Sequence, residues 1–168
     1  MGNTALNVAK IMDRLHQSSR RPRYAYMVLS LLAEQADQGG KVGPSIIDDD
    51  KERLTLRDYV SKRLAKLSGY RDRRRQLEQR VRAELAGKLP QDLFEAQAIV
   101  DRHVEERARQ TSAANFSRVL TELEKAGFVN RFYQGYRTNH ANRGAQRHLV
   151  CVLDGDVSAA LRSRDRFI

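Results

Sequence analysis

The segment from Ser112 to Leu153 constrains the fold most, because it joins a helical pattern, a helix stop and a strand pair in one short stretch. Its apolar residues recur at the i, i+3, i+4, i+7 spacing of one buried helical stripe. They are Phe116, Val119, Leu120 and Leu123. Gly127 follows where a residue free to adopt positive φ best ends a helix. We therefore predict a helix over Ser112–Ala126.

The residues after this helix predict a β-hairpin with a basic character. Phe128–Tyr133 is rich in aromatic and β-branched residues, and Gln146–Leu153 is its matching strand. The polar loop between them is too long for a tight turn. From Lys125 to Leu153 there is no Asp or Glu. The cationic side chains in this stretch are Lys125, Arg131, Arg137, Arg143 and Arg147. A helix followed by an acid-free, arginine-bearing hairpin suits a polyanionic partner.

The run Asn115–Arg131, NFSRVLTELEKAGFVNR, resembles the recognition helix and first wing strand of winged helix-turn-helix DNA-binding proteins. It is most similar to MarR-like and PadR-like transcriptional regulators. The resemblance implies a mostly α fold with a small β-hairpin, that is, a winged helix-turn-helix with extra helices. It also implies a sequence-specific transcriptional regulator that binds double-stranded DNA, as a homodimer formed through its terminal helices or its central helical hairpin.

The outer face of the predicted recognition helix and the hairpin supply candidate DNA contacts. Asn and Arg side chains can bond bidentately to adenine and guanine edges, and a helix start at Thr111 or Ser112 suits a phosphate. The candidates are Ser112, Asn115, Arg118, Thr121, Lys125, Arg131, Arg137, Asn139, His140 and Arg143. The competing interpretation is an ordinary amphipathic helix with a solvated polar loop, in which Arg131 and Arg147 pair with acids such as Glu124.

Apolar stripes and stop signals predict the remaining helices. They cover about residues 4–16, 23–37, 55–67, 71–86, 91–109 and 156–164. Lys41–Arg53 is ambiguous, and Ser45 is a candidate helix start by capping-box logic. Thr55 and Asp58 form another candidate cap. The helix after Thr55 is strongly basic opposite its apolar side; its cations, Arg57, Lys62, Arg63 and Lys66, suit either phosphates or solvent.

One domain is expected over residues 1–168, with an N-terminal helix and linker at 1–21, a helical hairpin at 70–110, and the recognition helix and wing at 111–154. Two helices compete as the support that precedes a recognition helix. One is the basic helix after Thr55, which would make the hairpin an insertion. The other is the adjacent helix Gln91–Arg109, with a turn at Ala108–Ser112. Sequence adjacency favours the second.

Composition narrows the function classes. A formal charge of +10 in 168 residues exceeds what solubility requires and favours nucleic acid over an anionic membrane surface. No apolar run approaches the ~20 residues of a membrane span. The N-terminus has no signal core, and Cys151 is the single cysteine, so we expect a cytoplasmic protein.

Enzyme signatures are missing from the sequence. The four histidines lack metal-ligand spacing, there is no phosphate-binding loop, and Cys151 alternates within an apolar strand as a buried thiol would. We expect no enzymatic activity, metal or cofactor. Two alternatives to a regulator stay open: a winged-helix protein of plasmid or phage replication or partition, and a winged-helix protein-interaction module without DNA binding. The sequence does not identify an effector ligand.

Overall fold

The computed structural model of the chain describes residues 5–66, 69–134 and 148–164. The fold is mostly helical with a small antiparallel sheet, as predicted. The elements in chain order are α1 (Val8–Ser18), α2 (Pro22–Gln35), β1 (Lys41–Val42), β2 (Ser45–Ile47), β3 (Arg53–Thr55), α3 (Leu56–Leu64), α4 (Tyr70–Glu84), α5 (Leu93–Lys125), β4 (Val129–Tyr133), β5 (Leu149–Leu153) and α6 (Gly155–Arg164).

The chain divides into two compact units. The first unit comprises Met1–Val60 and Phe116–Ile168, and the second unit comprises Ser61–Asn115. The predicted single domain with a possible insertion at residues 70–110 stays a prediction.

The predicted hairpin is present as the antiparallel pair β4–β5, and β5 is the middle strand of a three-stranded sheet in the order β1-β5-β4. Cys151 of β5 lies opposite Val42 of β1 on one side and opposite Arg131 of β4 on the other. Four of the five β5 residues are buried. This burial explains why its sequence is an almost continuous apolar run, because a middle strand hydrogen-bonds along both edges and packs on its faces.

The core of the first unit contains apolar stripes from α1, α2 and α6 as well as the stripe Phe116–Leu123 of α5. Its buried helical residues include Ile11, Leu15, Val28, Leu29, Leu32, Val157 and Leu161. The Asp154 carboxylate caps α6 by accepting hydrogen bonds from the backbone N–H groups of Asp156 (3.0 Å) and Val157 (3.3 Å). Arg162 of α6 donates to the carbonyl oxygens of Ala36 (3.2 Å) and Asp37 (2.8 Å), so it satisfies acceptors at the end of α2.

The segment Lys41–Arg53, which the sequence leaves ambiguous, contains strands, and the candidate helix start at Ser45 is instead the first residue of β2. Strand β2 pairs antiparallel with β3, with Ile46 opposite Leu54. The Asp48 carboxylate accepts a hydrogen bond from the backbone N–H of Glu52 at 2.8 Å, which stabilises the turn between the two strands. The adjacent β-branched residues Ile46 and Ile47 favour a strand, and the turn that Asp48 stabilises lets this strand pair with β3. These interactions are stronger than the tendency of Ser45 to begin a helix.

The cap predicted at Thr55 is confirmed. The backbone N–H of Asp58 donates to Thr55 Oγ1 at 3.2 Å, and that hydroxyl donates to Asp58 Oδ2 at 2.8 Å. These bonds fix the start of α3, in which Leu56, Tyr59 and Val60 are buried.

Helices predicted separately over Gln91–Arg109 and Ser112–Ala126 are one helix, α5, of 33 residues. The predicted turn at Ala108–Ser112 is wrong. No Gly or Pro lies within α5, and alanine, arginine and glutamine, which favour helix, predominate around residue 110. Ser112 therefore stands in mid-helix, and no turn separates Gln91–Arg109 from the predicted recognition helix.

The second unit has a small core of its own. Val81 of α4 packs with Val100 and Val104 of α5, and the partly buried Leu77, Leu85 and Leu89 surround them. The sequence predicts one apolar stripe of Leu77, Val81 and Leu85 on α4, which is present in this core, and a second of Leu93, Val100 and Val104, of which Leu93 is exposed instead.

We predict that Gly40→Ala lowers the free energy of unfolding by about 2 kcal/mol or more. Gly40 has φ +81°, and a Cβ there would lie 2.7 Å from the carbonyl oxygen of Leu153, so the substitution adds a backbone clash to left-handed strain. Urea denaturation measures the loss.

Two glycines are matched controls for this substitution. Gly127 has φ +76°, and a Cβ there would meet no atom within 4 Å, so Gly127→Ala should cost the strain alone, about 1 kcal/mol. Gly155→Ala should cost little, because Gly155 begins α6 and has open space around it. Equal losses for Gly40→Ala and Gly127→Ala would show that the close approach to Leu153 contributes nothing.

Candidate nucleic-acid interface

The end of α5 fixes the direction in which β4 leaves. The backbone N–H of Phe128 donates to the carbonyl of Leu123 at 2.9 Å, and that of Gly127 donates to the carbonyl of Glu124 at 3.0 Å. With Gly127 at positive φ, these bonds form a Schellman motif. The glycine stop predicted from the sequence is thus confirmed, and it turns the chain directly from the helix into the hairpin.

Glu124 and Arg131 tie the helix to the strand that follows it. Glu124 Oε1 accepts a hydrogen bond from the backbone N–H of Arg131 at 3.1 Å, and Oε2 pairs with Arg131 Nε at 2.9 Å. Arg131 Nη2 also donates to Thr121 Oγ1 at 3.0 Å, and that hydroxyl donates to the carbonyl of Ser117 at 3.1 Å. Of the two interpretations left open for Arg131, pairing with Glu124 is confirmed.

This cluster has a structural role that its geometry explains. Among the strands that the structure describes, β4 is at the edge of its sheet, so no described strand accepts the N–H groups along one of its edges. Glu124 supplies an acceptor on that edge, and the guanidinium of Arg131 balances the carboxylate charge. The polar atoms of Thr121 and Arg131 are consequently directed towards each other and towards Glu124.

Beside this cluster, within the first unit, lies a groove of about 440 Å³. Its lining residues are Arg57, Phe116, Ser117, Arg118, Leu120, Thr121, Glu124, Arg131, Tyr133 and Leu149. The one carboxylate of this lining, Glu124, is already bonded to Arg131, and the apolar lining residues are Phe116, Leu120 and Leu149. Arg118 is exposed and pairs with no acid in the described part of the chain. The groove thus offers a net positive charge to a ligand.

The predicted site residues are distributed unevenly. Arg118 and Lys125 are exposed on α5, whereas Thr121 and Arg131 are half-buried and bonded to each other. Ser112 and Asn115 are half-buried in the second unit. The predicted contacts Arg137, Asn139, His140 and Arg143 lie outside the described residues.

Seven of the ten groove residues were not among the predicted site residues, and Arg57 and Tyr133 are two of them. Arg57 was assigned only to a basic helix face, and its place in the groove depends on the approach of residues that are distant in the sequence, such as Tyr133 and Leu149. Tyr133 was assigned only to a strand. The period-2 alternation of a strand places Tyr133 on the same face as Arg131, and this signal was present in the sequence.

Cys151 is buried in β5, as the sequence indicated. Burial raises the pKa of its thiol to about 12, and the nearby Glu124 carboxylate adds to the shift. The thiol therefore stays protonated at neutral pH, where only a thiolate would be a nucleophile or metal ligand. Among the described residues, no group of three or more His, Cys, Asp or Glu side chains is arranged to hold a metal ion.

Comparisons with known proteins identified no relative of this chain. No family model, no curated protein and no solved structure matches the chain. None of the helices in the described part of the chain is both long and apolar enough to cross a membrane. Inference about function therefore depends on this chain's own residues.

We predict that Glu124 and Arg131 are coupled by about 1 kcal/mol in a double-mutant cycle of Glu124→Ala and Arg131→Ala, measured by urea denaturation. Both side chains are about 70% shielded from solvent, and the contact includes a backbone hydrogen bond. The control is Glu106 with Arg109, an exposed pair on α5 that should show less than about 0.5 kcal/mol. A coupling no larger than that of the control would contradict the structural role.

Proposed function

We propose that the first unit is a winged helix-turn-helix module that binds double-stranded DNA, and that the protein is a transcriptional regulator. One observation carries the proposal: a positively charged groove lies at the junction between the end of α5 and the first strand of a hairpin whose sequence is free of acids. Phosphate groups supply most of the affinity in such complexes, so this combination favours a nucleic-acid partner.

The topology of the first unit supports the proposal. A helix (α2) precedes a short strand (β1), the start of α3 follows, and the end of α5 leads into β4 and β5. Strand β1 pairs with β5 rather than with β4. In this proposal α3 takes the place of the supporting helix, the end of α5 is the recognition helix, and the second unit stands between them in the sequence. The proposal therefore takes the basic helix after Thr55 as the supporting helix, although sequence adjacency favoured Gln91–Arg109.

The proposed recognition chemistry depends on side chains rather than on a helix terminus. Because α5 continues through Ser112, no helix N-terminus is available there to bind a phosphate. Arg118 is the exposed arginine of the groove, and a guanidinium can grip O6 and N7 of guanine together. Lys125 suits a backbone phosphate, and Arg137 and Arg143 suit phosphates or the minor groove. The pair of Glu124 and Arg131 fixes the end of α5 relative to β4, so that the helix and the hairpin can contact the same duplex.

We predict that Arg118→Ala weakens binding to a cognate duplex by about 1–3 kcal/mol and weakens binding to a scrambled duplex much less. The cognate duplex is obtained by repeated selection of random DNA on the wild-type protein, and affinities are measured by fluorescence anisotropy. Arg23→Ala is the matched control, since Arg23 is an exposed arginine on α2 that does not line the groove.

The outcomes of this experiment separate the candidate functions. Equal losses of affinity on the two duplexes would show that Arg118 does not contribute to base recognition. Absence of binding to any duplex at low salt would favour a protein-interaction module. Footprinting across a genome distinguishes regulation from replication. Isolated sites near promoters support a regulator, whereas iterated repeats at an origin would point to replication or partition.

The proposal includes a homodimer, because winged-helix regulators bind two-fold operators as dimers. The apolar stripes of the terminal helices are used inside the first unit, where Ile11, Leu15, Val157 and Leu161 are buried. Leu93 and Phe94, which begin α5 in the second unit, are instead 83% and 88% exposed. We predict twice the chain mass in sedimentation equilibrium at micromolar concentration. A monomeric mass both with and without the selected duplex would contradict a dimer.

A further inference from the structure

Helix α4 of the second unit concentrates positive charge. Six of its 15 residues are arginine and three are acidic. The whole second unit, residues 61–115, holds 13 Lys and Arg against eight Asp and Glu, a formal net charge of +5. One third of the chain therefore carries half of its excess charge, and α4 within it is not part of the proposed winged helix.

The acids around α4 are already bonded to particular arginines. Glu105 pairs with Arg74 at 3.6 Å, and Glu78 pairs with Arg82 at 3.2 Å. A hydrogen bond from Arg107 holds the pKa of Glu84 below its ordinary value. Hydrogen bonds from Gln110 and Arg109 do the same for the pKa of Glu106. These carboxylates are thus stabilised in their charged form by neighbours within the unit, and they compensate those neighbours.

Four arginines of α4 are left over. Arg71, Arg73, Arg75 and Arg80 are exposed, and within residues 5–66, 69–134 and 148–164 no acid pairs with them. Leu77 and Val81 direct the apolar side of α4 into the core. The 3.6-residue period then places Arg71 and Arg75 along one edge of the outer face, one turn apart, and Arg73 and Arg80 along the other edge. Asp72 lies between the two edges.

Such an arrangement is unfavourable without a partner, because like charges one turn apart weaken a helix by a few tenths of a kcal/mol. Guanidinium groups bond phosphate oxygens in a bidentate manner, which makes arginine the cation best suited to a phosphate backbone. A membrane surface fits less well, since helices that lie on membranes insert an apolar face. The apolar side of α4 is packed in the core of the second unit and is not available for insertion into a membrane. The outer face of α4 also carries the polar residues Gln76 and Gln79.

We propose that the outer face of α4 is a second DNA-binding surface, which holds the phosphate backbone of a duplex independently of its sequence. This surface is separate from the groove of the first unit, and it stands even if that groove does not read bases. Its arginines act by displacing counterions from DNA, so their contribution appears in the salt dependence of binding rather than in sequence preference.

The test uses the full chain and the double variant Arg71→Gln, Arg75→Gln. Binding to the selected duplex and to a scrambled duplex is measured by anisotropy at several salt concentrations. We expect equal losses of affinity on the two duplexes. We also expect the plot of log affinity against log salt to become shallower by up to about two, since each phosphate contact contributes about 0.9 to its slope.

The matched control is Arg107→Gln, Arg109→Gln, which removes the same charge from the same unit. These two arginines already compensate Glu84 and Glu106, so the slope should change by less than half as much. Equal slope changes in the two double variants would show diffuse charge and would overturn the proposal. So would an unchanged slope in the α4 variant, given an unfolding midpoint like that of the wild type.

A third measurement distinguishes DNA from a membrane as the partner of α4. The duplex comparison also separates the α4 proposal from the proposal that the protein is a regulator. Cosedimentation with phosphatidylserine vesicles that depends on Arg71 and Arg75, without any change in DNA binding, would assign α4 to a membrane surface instead. If the wild type shows no preference between the two duplexes but the α4 variant still flattens the salt dependence, the regulator proposal fails and the α4 surface survives.

Discussion

The first unit depends on the pairing of β5 with two strands that come from distant parts of the sequence. Cys151, for example, lies opposite Val42, which follows α2, and also opposite Arg131, which follows α5. The backbone N–H of Leu153 extends the first pairing by donating to the carbonyl of Gly40 at 2.8 Å. Because the entropy of loop closure grows only logarithmically, by about 0.6 kcal/mol for each doubling of length, a 55-residue second unit can interrupt this sheet at little thermodynamic cost.

Local signals predicted the parts of the fold that local interactions decide. The stripe from Phe116 to Leu123, the stop at Gly127 and the cap at Thr55 each involve residues fewer than eight positions apart, and each is present. The sequence left the segment of β2 ambiguous, because the capping pattern at Ser45 is local whereas the strand depends on pairing with β3 across a turn. The turn expected at Ala108–Ser112 came from the family resemblance, while the residues themselves favour an unbroken helix.

The candidate site was predictable only in part, because an outward position on a helix does not establish that a side chain is available. Glu122 is outside the apolar stripe, yet its carboxylate accepts a hydrogen bond from the hydroxyl of Ser19, which follows α1. Thr121 is on the shoulder of the same helix, and its hydroxyl is occupied by Arg131. In the part of α5 that belongs to the first unit, these contacts leave Arg118 and Lys125 as the exposed cations. The face that can meet a ligand is thus narrower than helical periodicity alone suggested.

The roles of Arg131, Arg107, Arg118 and Arg71 differ according to whether an acid is within reach. Arg131 and Arg107 have the same chemistry as Arg118 and Arg71, but each has a carboxylate partner, and the resulting pair positions an element instead of attracting a ligand. A net charge of +10 does not distinguish these cases, since paired and unpaired cations count equally. Several exposed cations remain once the paired arginines are set aside, and the two proposals concern Arg118 and Lys125 of α5 and the unpaired arginines of α4. In these proposals, Arg118 lies beside an apolar groove, where desolvation would strengthen a specific contact, whereas the arginines of α4 lie on an open helix face, where water would keep each phosphate contact weak and independent of base sequence.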